Sequence, residues 1–350
     1  MGPSGWQTRD PMRKTGLVTI YDVAREAGVS AMTVSNVIND HPHVRDATRT
    51  KVVDAMTRLD YRINVSARNL RAGRTGTIGL VVPEFDRPYF GQLAARIVEA
   101  ATSHGFRVVL EQTGARRDAE LESLSMSRNS VYDGLILSAV GLGAGDAELL
   151  RVENPLVILG ERIFEGPVDH VAMPNAEGAR LAVAHLIDAG CRRIAMIGDP
   201  DPGDVTAGAL RMDGYRRAHA DAGRAVAPEL LVGRFEYSMA GGHAAITRLM
   251  GSGAEFDGVF CVTDTVAMGV LRGLADAGRR VPDDVRVVGF DEIPESAYLV
   301  PGLTSVDPDH DFMARTAVDR LVQRIEGDRT PAREFLAEPR LMIRGSSARR

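Results

Sequence analysis

The chain has 350 residues, 44% of them hydrophobic and 25% charged, the proportions of ordinary globular protein and enough length for two or three compact units. No apolar run approaches the roughly 20 residues that cross a bilayer, and the polar start MGPSGWQTRDPMRKTG lacks the apolar core of a signal peptide; no membrane partner and a cytoplasmic location are expected. Cys191 and Cys261 form no CxxC motif or Cys/His cluster, so both read as buried thiols rather than a disulfide scaffold or metal site.

The formal net charge of −5 hides an asymmetry. Residues 1–74 hold 12 Lys and Arg against 7 Asp and Glu, and the rest of the chain holds 30 against 40. A basic head on an acidic body is what phosphate-backbone binding by the head alone requires, although a charge bias is also compatible with a merely solvated surface.

Residues 1–16 carry Gly, Pro and mixed charge without periodicity, and read as a disordered leader. From 17 to 62 the pattern is three short helices. Thr19 caps YDVAREAG, Ser30 caps AMTVSNVIND, and Asp46 or Thr48 lies in the first turn of a longer segment reaching Tyr61. Ile20, Val23, Ala24, Ala27, Val34, Val37, Val52, Val53, Met56 and Leu59 recur at helical spacing, enough for a small core. Gly28 sits at the tight turn between the first two helices, where a left-handed backbone is cheap for glycine alone. Helix, glycine-containing turn and helix at this spacing is the helix-turn-helix pattern. NVSARNLRAG (64–73) is a short basic helix candidate, too short to be stable alone in water.

After residue 75 strands and helices alternate: TIGLVV (77–82), a helix over 89–104, FRVVLEQ (106–112), a helix near 117–129, GLILSAV (134–140) and PLVILG (155–160). The rhythm resumes with a helix over 175–189, RIAMIG (193–198), a helix over 208–222, ELLVGRF, a helix over 238–250, GVFCVT (258–263), a helix over 265–277 and VRVVGF (285–290). Short apolar strands separated by helices predict two parallel-sheet α/β lobes. Ligands of such sheets bind beyond the carboxyl ends of the strands, so a cleft between the lobes is the expected sensor site.

Enzyme motifs are weak. GLGAGD (141–146) after GLILSAV partly mimics a dinucleotide fingerprint, but Asp146 replaces the third glycine. There is no GxxxxGK[ST], HExxH or GxSxG, and the eight histidines show no ligand spacing. No enzyme, no cofactor and no metal site are expected.

The stretch VTIYDVAREAGVSAMTVSNVINDHPHVRDATRTKVVDAMTRLDYRINVSARNLRAGRTGTIGLVVP closely resembles the N-terminal signature of the lactose-repressor/galactose-repressor (LacI/GalR) family. The resemblance continues through VPEFDRPYFGQL, HLIDAGCRRIAMIGDP, RMDGYRRA, FDGVFCVTDTVAMGVLRGLADAGRRVPDDVRVVGFDEIP and PGLTSVDPDHDFMARTAVDRLVQRIEG, from Val18 to Ser346. It implies an N-terminal all-α helix-turn-helix headpiece, a hinge helix or linker over 63–74, and an α/β two-lobed sensor domain like periplasmic binding proteins over 75–350, with parallel sheets flanked by helices. It further implies three crossings between lobes, so that lobe 1 takes about 75–173 and 306–335, and lobe 2 about 174–305 and 336–350.

The resemblance also implies roles. Ala31, Met32, Thr33 and Asn36 begin the recognition helix that reads base edges in the major groove. Asn36 can bond an adenine edge, and Ala31 or Met32 can touch a thymine methyl. Thr19, Tyr21, Ser30, Ser35, Asn39, His43, Arg45 and Thr48 are assigned to phosphates; Thr19 and Ser30 could equally be helix caps, and one helix terminus can serve both ends. Leu70 matches the residue that wedges into the minor groove at the operator centre, with Asn64, Ala67 and Arg68 as companions; the alternative is an ordinary apolar residue packed on the body.

For the effector, the resemblance points to Tyr89, Phe90, Arg162, Arg211, Thr263, Asp264 and Asp291, with Arg211 and Asp291 the preferred pair. Thr263 stands where the family usually has Asn, and Pro174 where it commonly has Asp. The implied function is a sequence-specific transcription regulator, a repressor by family default, that binds a palindromic double-stranded operator as a homodimer under control of a small-molecule effector. A sugar or sugar derivative is expected ahead of a purine-like corepressor. GSSARR follows Arg344 with no leucine heptads, so a dimer is expected rather than a coiled-coil tetramer.

Overall fold

The computed structural model describes residues 18–39, 41–61, 74–128, 131–161, 163, 166–198 and 206–348. The chain divides into two units, Met1–Gly73 and Arg74–Arg350. The expected leader, the hinge segment and Arg162 lie outside the described residues, as do Asn64, Ala67, Arg68 and Leu70.

The first unit consists of α1 (Ile20–Ala27), α2 (Ala31–Ile38) and α3 (Asp46–Arg58). Thr19 and Asp22 form a reciprocal capping box at the start of α1, and the Ser30 hydroxyl accepts the Thr33 amide at the start of α2. Each satisfies donors that a helix start otherwise leaves unpaired. Gly28 ends α1 at φ +67 with its amide turned back to Ala24 and Arg25, the left-handed cap that lets α2 begin three residues later. Val23, Ala24, Val34, Val37, Val52 and Ala55 are buried together.

The second unit contains two six-stranded sheets. Its elements are β1 (Thr77–Val82), α4 (Pro88–Ser103), β2 (Arg107–Gln112), α5 (Arg117–Arg128), β3 (Gly134–Ser138), β4 (Leu156–Leu159) and β5 (Asp169–Ala172). They continue with α6 (Asn175–Asp188), β6 (Ile194–Ile197), α7 (Ala207–Asp221), β7 (Leu231–Val232), α8 (Met239–Gly251), β8 (Gly258–Cys261) and α9 (Asp264–Asp276). The last are β9 (Arg286–Phe290), β10 (Thr304–Asp307), α10 (His310–Ile325), β11 (Glu334–Leu336) and β12 (Arg340–Met342).

One sheet runs β11-β5-β4-β3-β1-β2, all parallel. The other runs β12-β10-β9-β8-β6-β7, parallel except for the antiparallel β10–β12 pair. The chain passes between the sheets three times, over residues 173–174, 308–309 and 337–339. Alternate residues of β1 serve opposite faces: Ile78, Leu80 and Val82 join the core that includes Leu93 and Ile97 of α4, while Val81 joins Leu135, Leu137 and Ile158 on the other side. Burial on both faces is why these strands read as continuous apolar runs.

Two differences from the sequence expectation have local causes. The run GLILSAV leaves the sheet after Ser138 because the buried Glu120 carboxylate accepts the amides of Val140, Gly141 and Leu142 at 3.0, 2.7 and 2.8 Å. β5 had no apolar signature, since its first two residues are Asp169 and His170. Asp169 is nevertheless fully buried. Its carboxylate receives Arg324 Nε at 2.8 Å, Arg320 Nη2 at 3.1 Å and the Arg333 amide at 2.9 Å, joining β5 to α10 and to the approach to β11.

Removing that acceptor strands two partly buried guanidinium groups. Asp169→Ala is expected to lower the unfolding free energy of the second unit by about 3 kcal/mol in urea titration. Glu148→Ala, which breaks the exposed pair with Arg151, is expected to leave the midpoint where it is.

Candidate DNA-binding and effector sites

The N-terminal unit presents its second helix outward. Met32 is 70% exposed and Tyr21 is 64% exposed, while Val34 and Val37 on the opposite face of α2 are buried. Ala31, Thr33 and Asn36 are half-buried beside Met32, and the Asn36 side-chain amide makes no hydrogen bond with any described residue. Its two donors and one acceptor are therefore open to a base edge.

Thr33 is more engaged, with Oγ1 2.9 Å from the Ser30 hydroxyl. Around this face, Thr19, Ser30, Asn39, His43 and Arg45 are exposed and Ser35 and Thr48 half-buried. Thr19 and Ser30 are both helix caps, Asn39 Nδ2 reaches Ser35 Oγ at 3.4 Å, and Arg45 precedes α3 without a side-chain cap bond. Ala31, Met32, Thr33 and Asn36 thus lie on α2, and the expected phosphate partners are spread over the starts of α1 and α2, the body and end of α2, the loop after it and the first turn of α3.

The second unit encloses a cavity of about 380 Å³ at the carboxyl ends of both sheets, the position general to open parallel sheets. One sheet contributes Tyr89 and Phe90 from the first turn of α4, Ser138 from the end of β3, and Glu161 just past β4. The other contributes Arg211 from α7, Thr263 and Thr265 around the start of α9, and Asp291 just past β9. Tyr89 and Phe90 meet edge to face with ring centroids 4.9 Å apart, and Tyr237 adds a third aromatic to the wall.

Arg211 is 4% exposed. Its Nε donates to Asn175 Oδ1 at 2.7 Å, Nη1 to the Val262 carbonyl, and Nη2 to Met173 Sδ at 3.0 Å and Asp291 Oδ1 at 3.4 Å. The guanidinium also lies 3.7 Å above the Phe290 ring. Four of its five N–H groups are directed at protein acceptors, so Arg211 braces the cavity as much as it faces it.

Asp291 is 5% exposed and holds φ +111, followed by Glu292 at φ +49. Two successive non-glycine residues in this region cost about 1–3 kcal/mol each and persist only where surroundings impose them. The Val306 carbonyl accepts the Asp291 amide at 3.0 Å, and the Asp291 carbonyl accepts His310 Nε2–H at 2.6 Å. Burial pushes the Asp291 carboxyl up to about 7, against the opposing pull of Arg211. Burial likewise raises the Tyr89 phenol well above its usual value, which keeps it a neutral donor.

Asp264 is a correction to the sequence expectation. It does not line the cavity. Its fully buried carboxylate accepts Ser305 Oγ at 2.7 Å, Ser296 Oγ at 2.8 Å and the Ile293 amide at 3.0 Å. Gly289 makes room for it, since a Cβ there would lie 2.1 Å from Asp264 Oδ1. Asp264 therefore shapes the loop that follows Asp291. Glu161, Thr265, Tyr237 and Ser138 were not singled out as effector residues; the rule that ligands sit past strand ends would have found Glu161 and Thr265.

The profile described as bacterial regulatory proteins, lacI family, matches residues 19–64, and that of the periplasmic binding protein-like domain matches residues 183–347. The ribose operon repressor of Escherichia coli (strain K12) is 33% identical over 337 residues, covering 95% of this chain and 100% of the repressor. The chain belongs to the lacI family of bacterial regulatory proteins.

Among solved structures, the CelR–cellobiose complex matches with a TM-score of 0.70 at 32% identity, covering 94% of this chain and 99% of that one. The lac repressor dimer bound to operator and the anti-inducer ONPF matches with a TM-score of 0.81 at 27% identity, covering 95% and 99%. This lacI-family chain is thus a DNA-binding transcription regulator with a helix-turn-helix unit and a two-lobed periplasmic-binding-protein-like unit, and its relatives are regulators rather than enzymes. No described helix is long and apolar enough to cross a membrane.

The raised Asp291 value has a definite consequence for stability. The folded carboxyl keeps its proton up to about pH 7, whereas the unfolded one releases it near its ordinary value of 3.8, so the unfolded state gains across that window. Stability should fall as pH rises from about 4 to about 7 and stay level for this group above it. Urea unfolding at pH 5 and pH 7 is expected to show a smaller loss in Asp291→Asn than in the unsubstituted chain.

Proposed function

We propose that this protein represses transcription as a homodimer on a palindromic double-stranded operator in the cytoplasm, and that a sugar or sugar derivative in the cavity controls it. The observation that carries the reading is the outward face of α2, where an exposed Met32 stands beside an unengaged Asn36 amide. Apolar contact to a thymine methyl and a bidentate bond to adenine are the matching readout chemistry. Ala31 and Thr33 complete the base-reading set, and Thr19, Tyr21, Ser30, Ser35, Asn39, His43, Arg45 and Thr48 fix register on the phosphates. Asn64, Ala67, Arg68 and Leu70 are assigned to the minor groove at the operator centre.

Pairing is supported by apolar side chains left in solvent on the second unit. Val109 and Leu110 of the edge strand β2 and Val98 of α4 are all exposed, and Tyr298 and Val300 are exposed by 86% and 98%. A bare strand edge is a template for pairing with another chain, and contiguous exposed apolar patches mark interaction sites. Two headpieces related by a dimer axis require a DNA site with the same symmetry.

The cavity supports a polyol effector through three aromatic rings and a few convergent polar groups: Tyr89, Phe90 and Tyr237, with Thr263, Arg211 and Asp291. The structurally similar CelR is solved with cellobiose. An effector moves the equilibrium only by binding one lobe arrangement better than the other.

Selection from a random double-stranded DNA pool by the purified chain is expected to enrich a two-fold symmetric sequence. Asn36→Ala should relax the selected base at one symmetric pair of positions, at a cost of about 1–3 kcal/mol in discrimination. Enrichment of an asymmetric sequence would contradict the dimer; an unchanged consensus in Asn36→Ala would contradict the readout assignment.

A further inference from the structure

Glu161 occupies a built position on the cavity wall. Gly160, just before it, holds φ +122, and a Cβ there would lie 2.9 Å from the Ala139 carbonyl oxygen, so both angle and space demand glycine. The Gly160 carbonyl is bonded to Nε2 of the buried His170 on β5 at 2.6 Å. The turn is thereby pinned to the neighbouring strand, and the residue that follows it is set at the cavity rim.

The cavity's cations are already committed. Arg87 is ion-paired with Glu84, and Arg211 spends four N–H groups on Asn175, Val262, Met173 and Asp291. Glu161 has neither a hydrogen bond nor an ion pair with any described residue. Its negative charge acts on Tyr89 and Asp291, raising the pKa of each. Glu161 is thus the acidic side chain on the cavity wall that has no partner among the described residues, and no free cation stands among the described residues lining the cavity. A ligand enclosed there is stabilised by presenting donors to Glu161 and destabilised by bringing a further negative charge.

We infer that Glu161 is a specificity-determining residue that accepts hydrogen bonds from hydroxyl or ammonium groups of the effector, so that the cavity takes neutral or amino sugars and rejects sugar phosphates and uronic acids. The inference rests on reading the cavity as a carbohydrate site. It narrows that reading by charge and assigns the discrimination to a residue of the first sheet.

Titration calorimetry of the full chain against ribose, ribose 5-phosphate, glucose, glucosamine, glucose 6-phosphate, glucuronate and cellobiose tests it. A neutral or amino member is expected to bind, with its phosphate or uronate at least about ten-fold weaker. Glu161→Gln should weaken the neutral ligand about ten-fold, the loss of one charge-assisted hydrogen bond, and narrow the gap between sugar and sugar phosphate. Glu161→Asp, which keeps the charge, should retain that gap.

A merely structural Glu161 would not change the neutral-to-phosphate ratio. An acidic member that binds as tightly as its neutral counterpart, or a ratio unaltered in Glu161→Gln, would overturn the inference and leave the carbohydrate reading standing. If no member binds, the charge rule and the carbohydrate reading fall together.

Discussion

The buried Arg211–Asp291 pair is the interaction around which the second unit is arranged. An arginine and a carboxylate this deeply buried persist only if further bonds offset their desolvation, and the fold supplies them from several elements. Asn175 opens α6, Val262 directly follows β8, Phe290 closes β9, and Met173 lies in a crossing between the sheets. These same points line or underlie the cavity. Holding the guanidinium therefore also holds the strand ends at which a ligand is met, and the strained backbone at Asp291 and Glu292 sits where that restraint is greatest.

A second constraint extends from Asp291 to both sheets. Its amide is tied to Val306 on β10, and its carbonyl to His310, the first residue of α10, which packs on the other sheet. Glu292 continues the chain of contacts, bonded through its amide to Ser305 and through its carboxylate to Arg344. Tyr298 and Val300 follow within a few residues. A short covalent and hydrogen-bonded route thus leads from the cavity to an exposed apolar segment.

Much of this was legible in the sequence because the physics is local. Caps at Thr19 and Ser30, the left-handed Gly28 and the apolar periodicity dictate the three-helix unit, and the continuous Val/Ile/Leu runs dictate buried parallel strands. What stayed hidden depends on partners distant in sequence. β5 reads as polar until Arg320 and Arg324, some 150 residues later, neutralise Asp169. GLILSAV looks like one strand until Glu120 draws its end away. Asp264 and Glu161 each follow a strand, yet the space under Gly289 takes one carboxylate into the core and the turn at Gly160 leaves the other at the cavity. No local pattern separates those two outcomes.

The central claim is a linkage: occupancy of the cavity and affinity for DNA are two readings of one equilibrium. The direct test measures, on the full chain, ligand affinity with and without the selected DNA duplex and DNA affinity with and without the ligand. The account predicts that each partner changes the other's affinity by the same factor, and that Asp291→Ala, which removes the acceptor facing Arg211, diminishes that factor. A ligand that binds in the cavity while DNA affinity stays constant would contradict it.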